Sequence, residues 1–276
     1  MKTRIVAMLT DFGNLDPFAG MMKGVIAGLF PNAYLIDITH EIPPGDILRA
    51  AVSLWQAVPS FPTGTIFLAV VDPGVGTDRN PVIVRSAGNI YIGPDNGVFT
   101  LVLKKPVEAY CIEPEFLGTT VVSGTFHGRD IFAPAAALAC AGETPKNFGV
   151  PVPQLTEITP PYLDWSEPSK ARGEILFSDR FGNLLTSLGK FARLDEGVRF
   201  EPWMEDPAPE FYLVGAPGLA LQDGTIFPLS RTYSDLPVGG CGAIIGSSGL
   251  IEIVANRGSA ANALALEHGD RVLLIL

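Results

Sequence analysis

The run Thr65-Ile66-Phe67-Leu68-Ala69-Val70-Val71 is apolar almost without interruption, rich in β-branched residues, and too short to make a helix of ordinary length. Such a run suits a strand buried on both faces, and strands of that kind belong to largely parallel sheets covered by helices on each side. Asp72-Pro73-Gly74-Val75-Gly76 must end it, because proline and two glycines cannot continue the ladder. In open α/β sheets that carboxyl edge is where ligands bind. Asp72 at the strand end and Arg79 beyond the glycine-containing loop can be aimed at one point in a cleft, although these residues by themselves suit a capped turn with a surface ion pair equally well.

The chain before this strand has the same logic. Arg4-Ile5-Val6-Ala7-Met8-Leu9 reads as a first buried strand that ends in Thr10-Asp11-Phe12-Gly13, with a helix over 16–30 that stops at Pro31-Asn32. Asp11-Phe12-Gly13 lacks the glycine-rich loop and strand lysine that precede a kinase magnesium motif, and the turn is not the GxGxxG of a dinucleotide or classical methyltransferase fold. A carboxylate here suits ribose hydroxyls better than phosphates. A second strand follows at 34–40, then a helix over 45–58 with Ile47, Leu48, Ala51, Leu54 and Trp55 on one face.

After Pro81 the pattern predicts short strands at 82–84, 90–92 and 98–103, the last following an Asn96-Gly97 turn. Thr125-Phe126-His127-Gly128-Arg129-Asp130 leads into an alanine-rich helix over 131–141, whose start presents His127 and free backbone N–H groups to a ligand. The proline-rich stretch 145–170 reads as a linker, which places a domain boundary near residue 168: an α/β domain over 1–167 and a second domain over 168–276. Strand-length pieces at 174–177, 184–188, 211–214, 241–245, 250–254 and 271–276, with one short helix over 260–266, make the second domain a small all-β barrel.

Charged residues are 17% of the 276, against roughly 25% in ordinary soluble domains, and hydrophobic ones 47%, so much of the surface is expected to be covered by other subunits. A net charge of −10 without any Lys/Arg cluster argues against a nucleic-acid partner. Cys111, Cys140 and Cys241 are odd in number and lack CxxC spacing, so neither a disulfide framework nor a zinc site is expected. The longest uncharged apolar stretch, 131–142, falls well short of the ~20 residues of a membrane span, and the start of the chain lacks a signal-peptide pattern. A cytoplasmic protein without a membrane partner is expected.

Seven segments, in this order, resemble the S-adenosylmethionine hydroxide adenosyltransferases, also called S-adenosylmethionine hydrolases, which share a fold with fluorinating and chlorinating enzymes. They are Thr10-Asp11-Phe12-Gly13, Asp37-Ile38-Thr39-His40, Val71-Asp72-Pro73-Gly74-Val75-Gly76, Gly93-Pro94-Asp95-Asn96-Gly97, Phe126-His127-Gly128-Arg129-Asp130, Asp179-Arg180-Phe181-Gly182-Asn183 and Ser247-Ser248-Gly249. The resemblance spans essentially the whole chain. It implies an N-terminal α/β domain, a C-terminal β-barrel, and a homotrimer whose active sites lie between one subunit's first domain and its neighbour's second.

It also implies roles. Asp72, Arg79 and His127 match the Asp, Arg and His that hold the attacking water, with His127 able to take its proton near neutral pH. The sulfonium leaves as a neutral thioether and needs no general acid, and no metal or cofactor is expected. Asp11 matches the residue on the ribose 2′ and 3′ hydroxyls. Phe181 and Tyr233 would sandwich the adenine and Asn183 would read its edge; Asp179 would take the methionine ammonium, and Ser247 and Ser248 its carboxylate. The halogenating relatives carry an arginine where Ser248 stands. Glu252, Asn256 and Arg257 would complete the adenine end. The expected reaction is hydrolysis of S-adenosylmethionine to adenosine and L-methionine. The rivals are halide-dependent 5′-halogenation, against which His127 stands where those relatives carry tyrosine, and a non-catalytic adenosine-binding protein, which would not need Asp72, Arg79 and His127 together.

Overall fold

The computed structural model describes residues 4–118, 122–167, 170–194, 197–201, 211–213 and 217–275. It divides into two units, Met1–Ile158 and Thr159–Leu276. The residue at the boundary expected from sequence, Pro168, lies outside the described residues, and the first strand of the second unit begins at Asp164.

In the first unit, β1 (Arg4–Thr10), β2 (Ala33–Thr39), β3 (Ile66–Val70), β4 (Pro81–Ser86), β5 (Asn89–Pro94) and β6 (Val107–Cys111) form one sheet in the order β2-β1-β3-β5-β4-β6. The pairs β1–β2, β1–β3 and β3–β5 are parallel, and β4 runs antiparallel to both of its neighbours. Alternation along the central strands fills two cores. Val6, Met8, Ile66 and Leu68 face one side, under α1 (Phe18–Leu29) and α3 (Ala133–Ala141), with Met22, Ile26 and Phe132. Ala7, Leu9, Phe67 and Ala69 face the other, with Ala50 and Leu54 of α2 (Ile47–Ala57). Every residue of β3 is buried, as the uninterrupted apolar run requires, and burying a side chain such as Leu68 contributes roughly 1.5–3 kcal/mol.

Two details of the expected pattern change. Residues 98–103 are not a strand but successive turns, closed by Thr100 N–H to Gly97 C=O at 3.0 Å and Val102 N–H to Phe99 C=O at 3.1 Å. Val98, Phe99 and Val102 are buried there without pairing, so their apolar content reflects burial in turns and not a ladder. The strand that does take the sheet edge is β6, which begins with the exposed Val107 and Glu108 and so carries little apolar signal. On α2, Leu48 is only half-buried and lies outside the core that Ala50 and Leu54 enter.

The second unit contains β7 (Asp164–Glu167), β8 (Lys170–Ser178), β9 (Leu184–Leu194), β10 (Gly197–Glu201), β11 (Phe211–Leu213), β12 (Gly218–Leu221), β13 (Ile226–Ser230), β14 (Cys241–Ile245), β15 (Leu250–Ala255), α4 (Ala260–Leu264) and β16 (Arg271–Ile275). The order β9-β15-β14-β13-β12-β16-β8, with β8 pairing back to β9, closes a seven-stranded barrel. Ile175, Leu184, Leu188, Leu219, Ala243, Ile251, Ile253 and Leu274 fill it. The expected strand over 211–214 is described only to Leu213, and the last residue of the strand expected over 271–276 is likewise outside the described residues. Strands β10, β12 and β13 escaped the sequence reading because Gly, Pro and exposed positions such as Ile226 break their alternation.

Candidate active site

Chain order puts β2 on one side of β1 and β3 on the other, so the connections diverge at the carboxyl ends of β1 and β3. A crevice must open at such a point. Thr10 pairs with Val70 at the end of that ladder, and the next residues to emerge are Asp11 on one strand and Asp72 just beyond the other. Both line a cavity of about 310 Å³, together with Phe12, Phe18, Val75, Phe126 and His127.

Asp72 is held by Arg79: the guanidinium Nε donates to both carboxylate oxygens at 3.0 and 3.1 Å, and Nη2 donates to Oδ2. The same Nη2 lies 2.8 Å from His127 Nδ1. The loop between Asp72 and Arg79 reaches this geometry through Gly76, whose φ of 78° belongs to the left-handed region and whose missing side chain lets the carbonyl of Gly124 approach. That contact ties the Arg79 loop to the segment leading to His127. His127 precedes a π-helical turn, Gly128–Phe132, inserted before α3, so the helix expected to begin at 131 becomes α-helical only at Ala133. Asn96 closes the arrangement by donating from Nδ2 to the carbonyl of Val71 at 2.8 Å, directly before Asp72.

The tautomer of His127 follows from its neighbour. A guanidinium has only N–H groups to offer, so Nδ1 accepts and the neutral ring carries its proton at Nε2. Burial, and then the Arg79 charge, hold the imidazole below its ordinary value, with Asp72 and Asp130 opposing less strongly. Asp11 is pushed the other way: burial raises its carboxyl, the Gly45 N–H at 2.9 Å pulls it back, and the charge of Asp72 adds to the rise.

The sequence reading missed the cavity's apolar wall. Phe12, Phe18 and Phe126 meet edge to face, with centroids 5.3–5.9 Å apart. Phe12 and Phe126 belong to the segments that hold Asp11 and His127, but which way they face is set by the fold.

In the second unit, Asp179, Asn183, Tyr233 and Glu252 come together. Asp179 Oδ1 accepts the backbone N–H groups of Phe181 and Asn183 at 2.8 and 2.9 Å, and its Oδ2 accepts Asn183 Nδ2 at 2.8 Å. Its carboxylate is thus already engaged in shaping its own turn. Asn183 Nδ2 also reaches Tyr233 Oη at 3.2 Å. Glu252 is 8% exposed, and burial, reinforced by the charge of Asp179, pushes its carboxyl up to about 7. Gly246 leaves that carboxyl its space, since a side chain there would overlap Oε1 of Glu252. Phe181 is 77% exposed and Tyr233 40%, both open to a ligand. Ser247 is exposed, while the hydroxyl of Ser248 is buried with no hydrogen-bond partner among the described residues. Asn256 is committed to a loop, donating to the Leu236 carbonyl at 2.7 Å, and Arg257 adopts a φ of 58°.

Two family models match along the chain, the SAM hydroxide adenosyltransferase N-terminal domain over residues 6–149 and its C-terminal domain over residues 173–273. The chain belongs to the SAM hydroxide adenosyltransferase family. Within it, the chain is similar to the (R)-S-adenosyl-L-methionine hydrolase of Thermus thermophilus, at 39% identity over 99% of this chain and 100% of that one. The (R)-S-adenosyl-L-methionine hydrolase of Salinispora arenicola is 34% identical over 98% and 97% of the two chains. The fluorinase of Actinopolyspora mzabensis is more distant, at 25% identity over 97% and 96%. Among solved structures, an uncharacterized conserved protein from Thermotoga maritima superposes with a TM-score of 0.84 at 30% identity, covering 98% of this chain and 100% of the other. No helix among the described residues of this family member is long and apolar enough to cross a membrane.

Proposed function

We propose that this protein hydrolyses S-adenosylmethionine to adenosine and L-methionine through in-line attack of water on C5′. The observation that carries the reading is that Asp72 and His127, joined to each other by Arg79, line one cavity with Asp11. The relatives named (R)-S-adenosyl-L-methionine hydrolase, at 34–39% identity, support it and point to the (R) sulfonium epimer as the substrate.

The chemistry asks little of an acid and much of alignment. The leaving group departs as a neutral thioether, so the protein must hold water behind C5′ and receive a proton. With its Nδ1 lone pair occupied by Arg79, His127 offers the water an Nε2–H donor, not the acceptor expected from sequence. The acceptor in the same group is the Asp72 carboxylate. As the C–O bond forms, the oxygen becomes an alkyloxonium, acidic enough for a guanidinium-paired carboxylate to take its proton. Asp11 accepts from the ribose hydroxyls. From the second unit, Phe181 and Tyr233 flank the adenine and Asn183 reads its edge, with Asn256 and Arg257 completing that end. Asp179 supplies negative charge for the ammonium, Ser247 and Ser248 contact the carboxylate, and the Glu252 carboxyl, raised by burial, joins the adenine end. The working form is a homotrimer in the cytoplasm, each site shared by one subunit's first unit and the neighbour's second.

The test is isotopic. In ¹⁸O-water the heavy oxygen should appear on the 5′-hydroxyl of adenosine, with methionine unlabelled and the (R) epimer consumed faster than the (S). Adenine, methylthioadenosine or unlabelled adenosine as the main product would refute this mechanism.

A further inference from the structure

The segment Asp37-Ile38-Thr39-His40 has no part in the chemistry above, yet its histidine is among the most deeply buried polar groups, at 2% exposure. His40 Nδ1 lies 2.8 Å from Thr10 Oγ1, and His40 Nε2 lies 3.1 Å from Asp37 Oδ1, an ion-pair separation set off the straight line of a hydrogen bond. Asp37 Oδ2 accepts from Lys23 Nζ at 2.6 Å. For the Asp37 carboxyl burial works upward, but the Lys23 hydrogen bond and the neighbouring His40 ring outweigh it and lower the value, so the group meets both partners as a carboxylate. A carboxylate opposite Nε2 favours a proton on that nitrogen, which leaves Nδ1 to accept from the Thr10 hydroxyl.

Hydroxyl, imidazole and carboxylate in a row resemble a nucleophilic triad, but Thr10 is fully buried and cannot reach a substrate. Its oxygen does something else. Thr10 Oγ1 accepts the backbone N–H of Phe12 at 3.3 Å, closing a turn with Asp11 at its centre. The same two loops are joined by Gly13 N–H to the His40 carbonyl at 2.7 Å, and by Gly45 N–H to Asp11 Oδ2 at 2.9 Å. Asp11 is thereby gripped through its own carboxylate and through the turn that carries it.

We propose that Thr10, His40 and Asp37 form a positioning relay that fixes the Asp11 turn, so that the Asp11 carboxylate meets a nucleoside's ribose diol with little reorganisation. This rests on the reading that Asp11 accepts from the 2′ and 3′ hydroxyls. The hydroxyl that closes the turn would otherwise be free to rotate; the imidazole orients its proton, and the half-exposed Asp37, held by Lys23 of α1, sets the imidazole tautomer.

The experiment is calorimetric binding of adenosine and of 2′,3′-dideoxyadenosine, which needs no turnover. Thr10→Val keeps the shape and removes the hydroxyl, Thr10→Ser keeps the hydroxyl, and Asp37→Asn acts from the surface without disturbing the core. Wild type should prefer adenosine by about tenfold or more, as expected for a site built to hydrogen-bond a hydroxyl. Thr10→Val should lose most of that preference by weakening adenosine alone, Asp37→Asn should lose it partly, and Thr10→Ser should keep it. In an Asp11→Ala background Thr10→Val should cost nothing further. Equal weakening of both nucleosides, or an undiminished preference in Thr10→Val, would overturn the relay. A wild type without any preference for the diol would instead remove the ribose assignment of Asp11, and the relay with it.

Discussion

At the residue scale the contact that decides most is Arg79 Nη2 against His127 Nδ1, because it assigns the ring proton. Two substitutions separate a donor from a base. Glutamine places an amide N–H near the position of Nε2, so His127→Gln should retain a substantial part of kcat, whereas His127→Ala should lose roughly 10²-fold or more while binding adenosine nearly as wild type does. Single-turnover rates with a parallel binding measurement check this; equal loss in both variants would restore the imidazole as proton acceptor. The pH profile adds a sign. Burial and the Arg79 charge hold His127 below 6.5, so the neutral ring persists until pH falls below that value, and kcat/KM should drop only on that acid side. The drop should vanish in His127→Gln.

At the element scale, β15 carries Glu252 beside Asp179, where the fold suppresses its ionisation. Its carboxyl sits near 7 in the folded chain against 4.5 when unfolded. Below 4.5 both states hold the proton and burial carries no pH-dependent penalty. Between 4.5 and about 7 the unfolded chain releases its proton first, so stability falls as pH rises through that window and levels off above it. Glu252→Gln removes the titrating group. Relative to wild type it should gain on the order of 1–3 kcal/mol at pH 8 over its difference at pH 4.5. Denaturant unfolding at the two pH values measures this, and a pH-independent difference would mean that Glu252 is ionised in the fold. At the same scale, the turns at 98–103 show why apolar content alone misleads: Val98, Phe99 and Val102 are buried by a chain that folds back on itself, with no partner strand to define alternation.

At the scale of the whole molecule, the proposal divides the site between subunits, with the water-holding residues on the first unit and the adenine-reading residues on the second. Mixing inactive His127→Ala with inactive Asn183→Ala, after dissociation and reassembly, should therefore recover a fraction of wild-type activity. Every mixed trimer then contains one site built from two intact halves. Activity that stays at the level of the separate variants, in a sample shown by light scattering to have mixed, would argue against sharing.

What the sequence by itself determined was the class of each unit and the places where chemistry could emerge. A short, β-branched apolar run closed by proline and glycines suits a strand buried on both faces, and the same proline and glycines after Asp72 have to end it, so the carboxylate's position at a sheet edge was local information. Barrel strands whose buried positions alternate, such as β16, were legible for the same reason. Only the tertiary structure decided what those residues face. Arg79 and His127 are 48 positions apart, and their contact depends on two loops meeting where Gly76 admits the Gly124 carbonyl. The ring tautomer, the phenylalanine wall and the burial of Glu252 are likewise properties of neighbours brought from elsewhere in the chain, and a linear pattern carries no record of which neighbours those are.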